Sequence, residues 1–181
     1  MTPTDPLASG ANRVIIENIE PSCDHGLFPV KSIIGEPVDV SAHIFTDGHD
    51  RIRAVLQYRL IGSESWTELP LEPLPNDEWR ARFYPEEIGI HEFTVAAWVD
   101  HFFSWQNGFR KKVESAQALN VELQTGIELI EDLQNRATSG SRDTLVEMAS
   151  LLREPSVPMG EKIHLLLGEE LTDLARTFPD R

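Results

Sequence analysis

EPVDVSAHIFTDGHDRIRAVLQYRL, residues 36–60, alternates over most of its length. Val38, Val40, Ala42 and Ile44 share one face of an extended chain, and Asp39, Ser41 and His43 share the other. Ile52, Ala54, Leu56, Tyr58 and Leu60 repeat the pattern against Arg53, Gln57 and Arg59. A period of two is the signature of a half-buried strand. Between the two runs lies Asp47-Gly48, a turn dipeptide: Gly accepts positive φ and Asp bonds the local backbone. The stretch predicts strands over 37–46 and 51–61 at hairpin distance, with DGHD (47–50) as the polar tip.

The same period extends in both directions. RVIIENI (13–19), SWTEL (65–69), EWRARF (78–83) and HEFTVAAWV (91–99) read as further strands, separated by turn signals such as Gly35-Glu36-Pro37 and Pro75-Asn76-Asp77. No crossover helix fits between them, so the sheets are antiparallel. The expected fold is an immunoglobulin-like antiparallel β-sandwich over 13–104. In EIGIHEF (87–93), His91 stands where such sandwiches often carry a corner tyrosine, and an imidazole N–H can make the same return bond to backbone.

After about residue 105 the period lengthens to 3.6. Phe109, Val113, Ala116, Leu123, Ile127 and Ile130 recur at three- and four-residue steps and predict one long amphipathic helix over 106–137. Ser141 is placed to cap a second helix over 142–153, which the prolines of EPSVP end. A third is expected over 160–177. The sandwich is therefore followed by a three-helix segment, 105–181. Two short helices cannot cover the stripe of so long a partner, which implies that part of it lies on the sandwich or on another subunit. Residues 1–12 read as a loose polar arm with no apolar core of a signal peptide.

Composition narrows the functional classes. The net charge of −14 argues against nucleic acid and against an anionic membrane surface. No apolar run approaches the ~20 residues of a membrane span. Cys23 is the only cysteine, so no internal disulfide marks the chain as secreted, and a cytoplasmic setting is expected.

The candidate chemistry is sparse. Asp47, His49 and Asp50 could hold a metal, but a calcium loop needs more carboxylates and a zinc site needs three or four fixed ligands. Glu86 and Glu87 adjoin in a turn, whereas glycosidase carboxylates face each other across a cleft. Cys23 sits in the turn-like PSCDHG with no basic group placed to activate it. No nucleophile elbow, phosphate loop or zinc-protease motif occurs. The expectation is no catalytic, cofactor or metal site within this chain. Trp98 and Trp105 stand out: Trp98 faces away from Phe93 and Val95, and Trp105 lies where strand gives way to helix. Both are read as interface residues, with stacking on sugar rings as the alternative.

Residues 13–59, PLPNDEWRARF (73–83) and IGIHEFTVAAWVDHFFSW (88–105) together closely resemble the N-terminal region of the α-1,4-glucan:maltose-1-phosphate maltosyltransferases of glycoside hydrolase family 13. The signature is R-V-x-I-E-N, F-P-V-K, D-G-H-D and A-W-V-D in this order, and ARTFPDR (175–181) resembles the close of that family's helical insertion. The resemblance implies a bacterial enzyme of α-glucan biosynthesis that moves maltosyl units from maltose 1-phosphate to α-1,4-glucans. It places the chemistry on a downstream (β/α)₈ barrel of the same polypeptide, and associates the sandwich and helices with homodimer formation. The expected role is thus non-catalytic assembly, with a stand-alone glucan-binding module as the alternative. His91, where many relatives are expected to have Tyr, departs from the family pattern.

Overall fold

The computed structural model describes residues 14–181. The arm expected over 1–12 lies outside them. The chain divides into two compact units that meet between Val99 and Asp100.

The first unit holds seven strands among the described residues: β1 (Val14–Glu20), β2 (Val38–Thr46), β3 (Ile52–Leu60), β4 (Thr67–Pro70), β5 (Glu72–Pro73), β6 (Glu78–Phe83) and β7 (His91–Val99). They form two antiparallel sheets, β1-β2-β6-β5 and β4-β3-β7. In immunoglobulin nomenclature this is A-B-E-D packed on C′-C-F. The alternation read from the sequence sets which faces meet: Val40, Ala42, Ile44, Ala54, Leu56, Trp79, Ala81, Phe83 and Val95 form one core. Each fully buried Leu or Ile among them contributes about 1.5–3 kcal/mol. Tyr58 of β3 stacks on Phe83 of β6 at 4.4 Å, joining the two sheets. The Trp79 indole N–H donates to the Ile44 carbonyl at 3.1 Å, so its one polar atom is satisfied inside the core.

The structure corrects the hairpin reading of DGHD. β2 and β3 do not pair: β2 lies between β1 and β6, and β3 between β4 and β7. The turn is real, with Gly48 at φ 141° and its N–H donating to the Thr46 carbonyl. It carries the chain from one sheet to the other. Each strand has one apolar face, and the pair buries both faces by opposing them rather than by lying side by side.

The second unit contains α1 (His101–Glu114), α2 (Asn120–Arg136), α3 (Ser139–Arg153), α4 (Met159–Leu166) and α5 (Glu169–Thr177). Five helices thus stand where three were expected. The first begins at His101, not near 106, because the Asp100 carboxylate accepts the Phe103 N–H at 2.9 Å and caps it. The continuous helix over 106–137 is broken at 115–119. Ala116 takes a left-handed conformation, φ 52°, its N–H donates to Val113 and the Gln117 N–H to Lys112. These are the two bonds of a Schellman motif, closed here by alanine where glycine is usual. The helix α3 starts at Ser139, ahead of the expected Ser141 cap. The helix expected over 160–177 divides at Gly168, whose backbone is extended. Its missing side chain leaves room for the His164 and Leu165 carbonyls, which lie 3.1 and 3.3 Å from where a Cβ would be.

The break in α1–α2 also alters the stripe argument. The two halves fold against each other and, with α3 to α5, bury Phe109, Ile127, Ile130, Leu133, Leu145, Leu152, Leu166 and Leu171 in a core of their own. Gln106 reaches into it and donates to the Leu166 carbonyl at 3.0 Å and to the Thr172 hydroxyl at 3.1 Å, satisfying a carbonyl that the α4–α5 break frees. Among the described residues no helix is long and apolar enough to cross a membrane.

Candidate functional site

The segment between β1 and β2 has no period, and the structure shows why. Gly26 and Phe28 both donate to the Cys23 carbonyl, Leu27 donates to Asp24, and Cys23 bridges Phe28 in a tight bend with Asp24 and His25 at positive φ. A second bend is closed by Glu36 on Ile33. The Gly35 N–H then donates to the Pro85 carbonyl at 3.0 Å, tying this segment to the loop that leads into β7. Such a path satisfies backbone groups locally and leaves side chains pointing outward.

Between the two loops lies a groove of about 960 Å³. Its apolar walls are unusually open to solvent: Ile88 is 90% exposed, Leu27 74%, Ile33 63% and Phe28 60%. Apolar side chains gathered at one end of a small sandwich mark a binding surface rather than ordinary scatter. Polar side chains also line it, among them His25, Lys31, Asp39, Glu87, His91 and Glu92. Asp39, on the rim, accepts Nε and Nη2 of Arg82 at 2.7 and 3.1 Å. That bidentate bond holds the Asp39 carboxyl below its ordinary pKa. Arg82 first, and Arg80 more weakly, favour the ionised form of Asp39. The most exposed residues of its wall are apolar.

The residues singled out from the sequence fall in different places. Cys23 and Glu87 line this groove, beside His25, as does His91, the first residue of β7 opposite Leu60. Among the described residues the His91 imidazole has no hydrogen-bond partner, so the expected corner bond is not made. Gly89, two residues earlier, allows the Leu60 side chain to approach where a Cβ would stand, 2.5 Å from Cδ1. Asp47, His49 and Asp50 are exposed on the inter-sheet loop. Among the described residues no group of three or more His, Cys, Asp or Glu is placed to hold a metal ion.

Trp98 projects from the outer face of β7 beside Arg53, whose guanidinium carbon is 5.8 Å from the ring centroid. Trp66, just before β4, lies under Arg59 at 4.3 Å. Trp105 is in the helical unit. It stacks on Phe109 at 5.3 Å and 15°, and its indole N–H donates to the Glu122 carbonyl. The structure does not bring Trp98 and Trp105 together in one unit. The groove itself was missed, although the aperiodic apolar residues Leu27, Phe28, Val30, Ile33 and Ile34 were a readable signal.

Fold and groove define a two-unit protein, an immunoglobulin-like sandwich with an open apolar groove joined to an all-helical unit. Residues 12–181 match the family model described as alpha-1,4-glucan:maltose-1-phosphate maltosyltransferase, domain N/S, and the chain belongs to that family. Proteins of that name from Methylacidiphilum infernorum, Chlorobaculum tepidum and Myxococcus xanthus are similar to it, at 38% identity over 95% of this chain, 39% over 79% and 34% over 93%. The matches take up 25%, 21% and 26% of those relatives, so the chain spans about a quarter of their length.

Proposed function

We propose that this chain is the non-catalytic N-terminal region of a maltosyltransferase, and that its work is assembly: holding the catalytic barrel of the same polypeptide and a second subunit in a homodimer. The whole enzyme would transfer maltosyl units from maltose 1-phosphate to α-1,4-glucans in the cytoplasm. The observation that carries this reading is the groove, whose wall exposes Ile88, Leu27, Ile33 and Phe28, on a chain whose named relatives are some four times longer. The test is direct. The purified 181-residue chain, given maltose 1-phosphate and glycogen, should release no phosphate; measurable turnover by a clean preparation overturns the proposal.

A glucan-binding role for the sandwich is the second reading, favoured by Trp98 on β7 and Trp66 just before β4, each beside an arginine of β3. Retardation on glycogen-containing gels that Trp98→Ala abolishes would support it. The assembly reading expects no retardation. Trp105 is a poor partner for a sugar, because Phe109 occupies one face of its ring and Gly126 packs against its edge.

A further inference from the structure

Most cations of the helical unit have a visible occupation. Lys112 reaches Glu122, Arg153 reaches Glu131 and Arg176 reaches Asp173, while Arg136 stands 3.8 Å from Asp180. These four keep between 32 and 60% of their side chains exposed. Arg142 donates to the Gln134 carbonyl at 2.9 Å and to the Ala137 carbonyl at 3.2 Å. Lys162 is the opposite case. It is 8% exposed, the one buried cation among the described residues, and among them it makes no ion pair and no side-chain hydrogen bond. The chain has 30 carboxylates against 16 cations. A partner was therefore plentiful in composition, and none is placed here.

The local structure explains the burial. Lys162 lies on α4 one turn before Leu166, which is fully buried, and beside Ile163, which packs on the same core. Residues four apart share a helix face, so the face that buries Leu166 also carries the lysine stem inward. Helical side chains lean toward the N-terminus of their helix, which brings the ammonium back over the first turn of α4. That turn is open. The Glu161 and Lys162 N–H groups both donate to the Pro158 carbonyl, and Pro158, as N-cap, offers no side chain to the Met159 and Gly160 N–H groups. Nothing lies within 4 Å of the place of a Gly160 Cβ. A lysine charge and a helix N-terminus attract the same ligand, an anion. Glu161, in the same turn, sets its size: with one carboxylate already present, a singly charged group fits better than a phosphate ester, which carries about 1.5–2 negative charges.

We propose that Lys162 and the start of α4 receive an Asp or Glu carboxylate from the same polypeptide beyond Arg181, and so fasten the helical unit to the rest of the enzyme. This rests on the reading of the chain as one region of a longer maltosyltransferase, whose relatives have about three quarters of their length outside the match. The chain leaves the unit from α5, whose Leu171 shares a core with Leu166 of α4, so the continuing polypeptide starts from the neighbouring helix.

Lys162→Met keeps an unbranched apolar stem and removes the charge. In the 181-residue chain it should not lower the thermal midpoint, because no ion pair is lost. In the polypeptide extended past Arg181 by its own coding sequence it should lower the midpoint by about 2 °C or more, since a buried carboxylate is left without its cation. Carbodiimide coupling identifies the partner: in the longer protein Lys162 should be joined to an Asp or Glu beyond Arg181, in a product of monomer mass. A midpoint lowered equally in both proteins would make the lysine a packing residue and overturn the proposal, as would no change in the longer one. Coupling of Lys162 between two copies would also sink it, by placing the carboxylate on a second subunit. An active longer enzyme indifferent to Lys162→Met would remove this anchor and leave the assembly reading intact. Turnover by the short chain would overturn that reading, and this proposal with it.

Discussion

Gly126 shows how a single position can be misjudged from composition. In the middle of α2 a glycine costs roughly 1 kcal/mol against alanine. Its absent side chain is where Trp105 sits, with Cζ2 and Cη2 2.4 and 2.6 Å from the place of a Cβ and Leu166 Cδ2 at 3.3 Å. The indole is fixed by its stack on Phe109 and its bond to Glu122, so it cannot yield cheaply. Gly126→Ala should therefore destabilise the helical unit by about 1–3 kcal/mol, in spite of better helix propensity. Urea unfolding followed by Trp fluorescence would measure it, and a stabilised variant would show that the packing is loose. At this scale the sequence was legible where a side chain's face follows from period, as for Trp79 and Trp98. It was not legible for Trp105 or His91, whose surroundings are made by residues distant in the chain.

Among elements, the strands were readable because each buries one face, and only the two-residue β5 escaped notice. The helices were readable in period but not in extent. Nothing in ESAQA (114–118) announces a stop: there is no glycine or proline, and the apolar spacing runs straight through. The chain nevertheless ends α1 there by placing Ala116 in the left-handed region, a conformation that costs an L-residue on the order of 1–2 kcal/mol. Ala116→Gly should raise stability by about 0.5–1 kcal/mol, the relief of that strain less the added freedom of the unfolded chain. An increase in the urea midpoint with an unchanged slope would verify it. A loss would mean that the β-carbon of Ala116 makes contacts that outweigh the strain. The groove was illegible for a related reason. Its walls come from between 19 and 39 and between 83 and 93, and the sheet order and the Gly35–Pro85 bond bring these together.

At the scale of the whole molecule, each unit has its own hydrophobic core. A protein with two such cores divides at a place where few contacts cross, here at Asp100. Residues 100–181 expressed alone should fold, giving a helical circular-dichroism spectrum and a cooperative melt. A broad, non-cooperative melt would show that the helical core depends on the sandwich. The pairing of β2 with β6 sets Val38 against Phe83 and Val40 against Ala81, residues far apart along the chain, whereas α1 to α5 pack mainly on sequence neighbours. Local contacts form fast and distant ones slowly, because a long loop must close before it is rewarded. The ribosome makes the sandwich strands first, and the helices that follow need less time, once made, to reach their contacts. The slower-folding half of the chain therefore has the head start, at roughly 5–20 residues per second of synthesis.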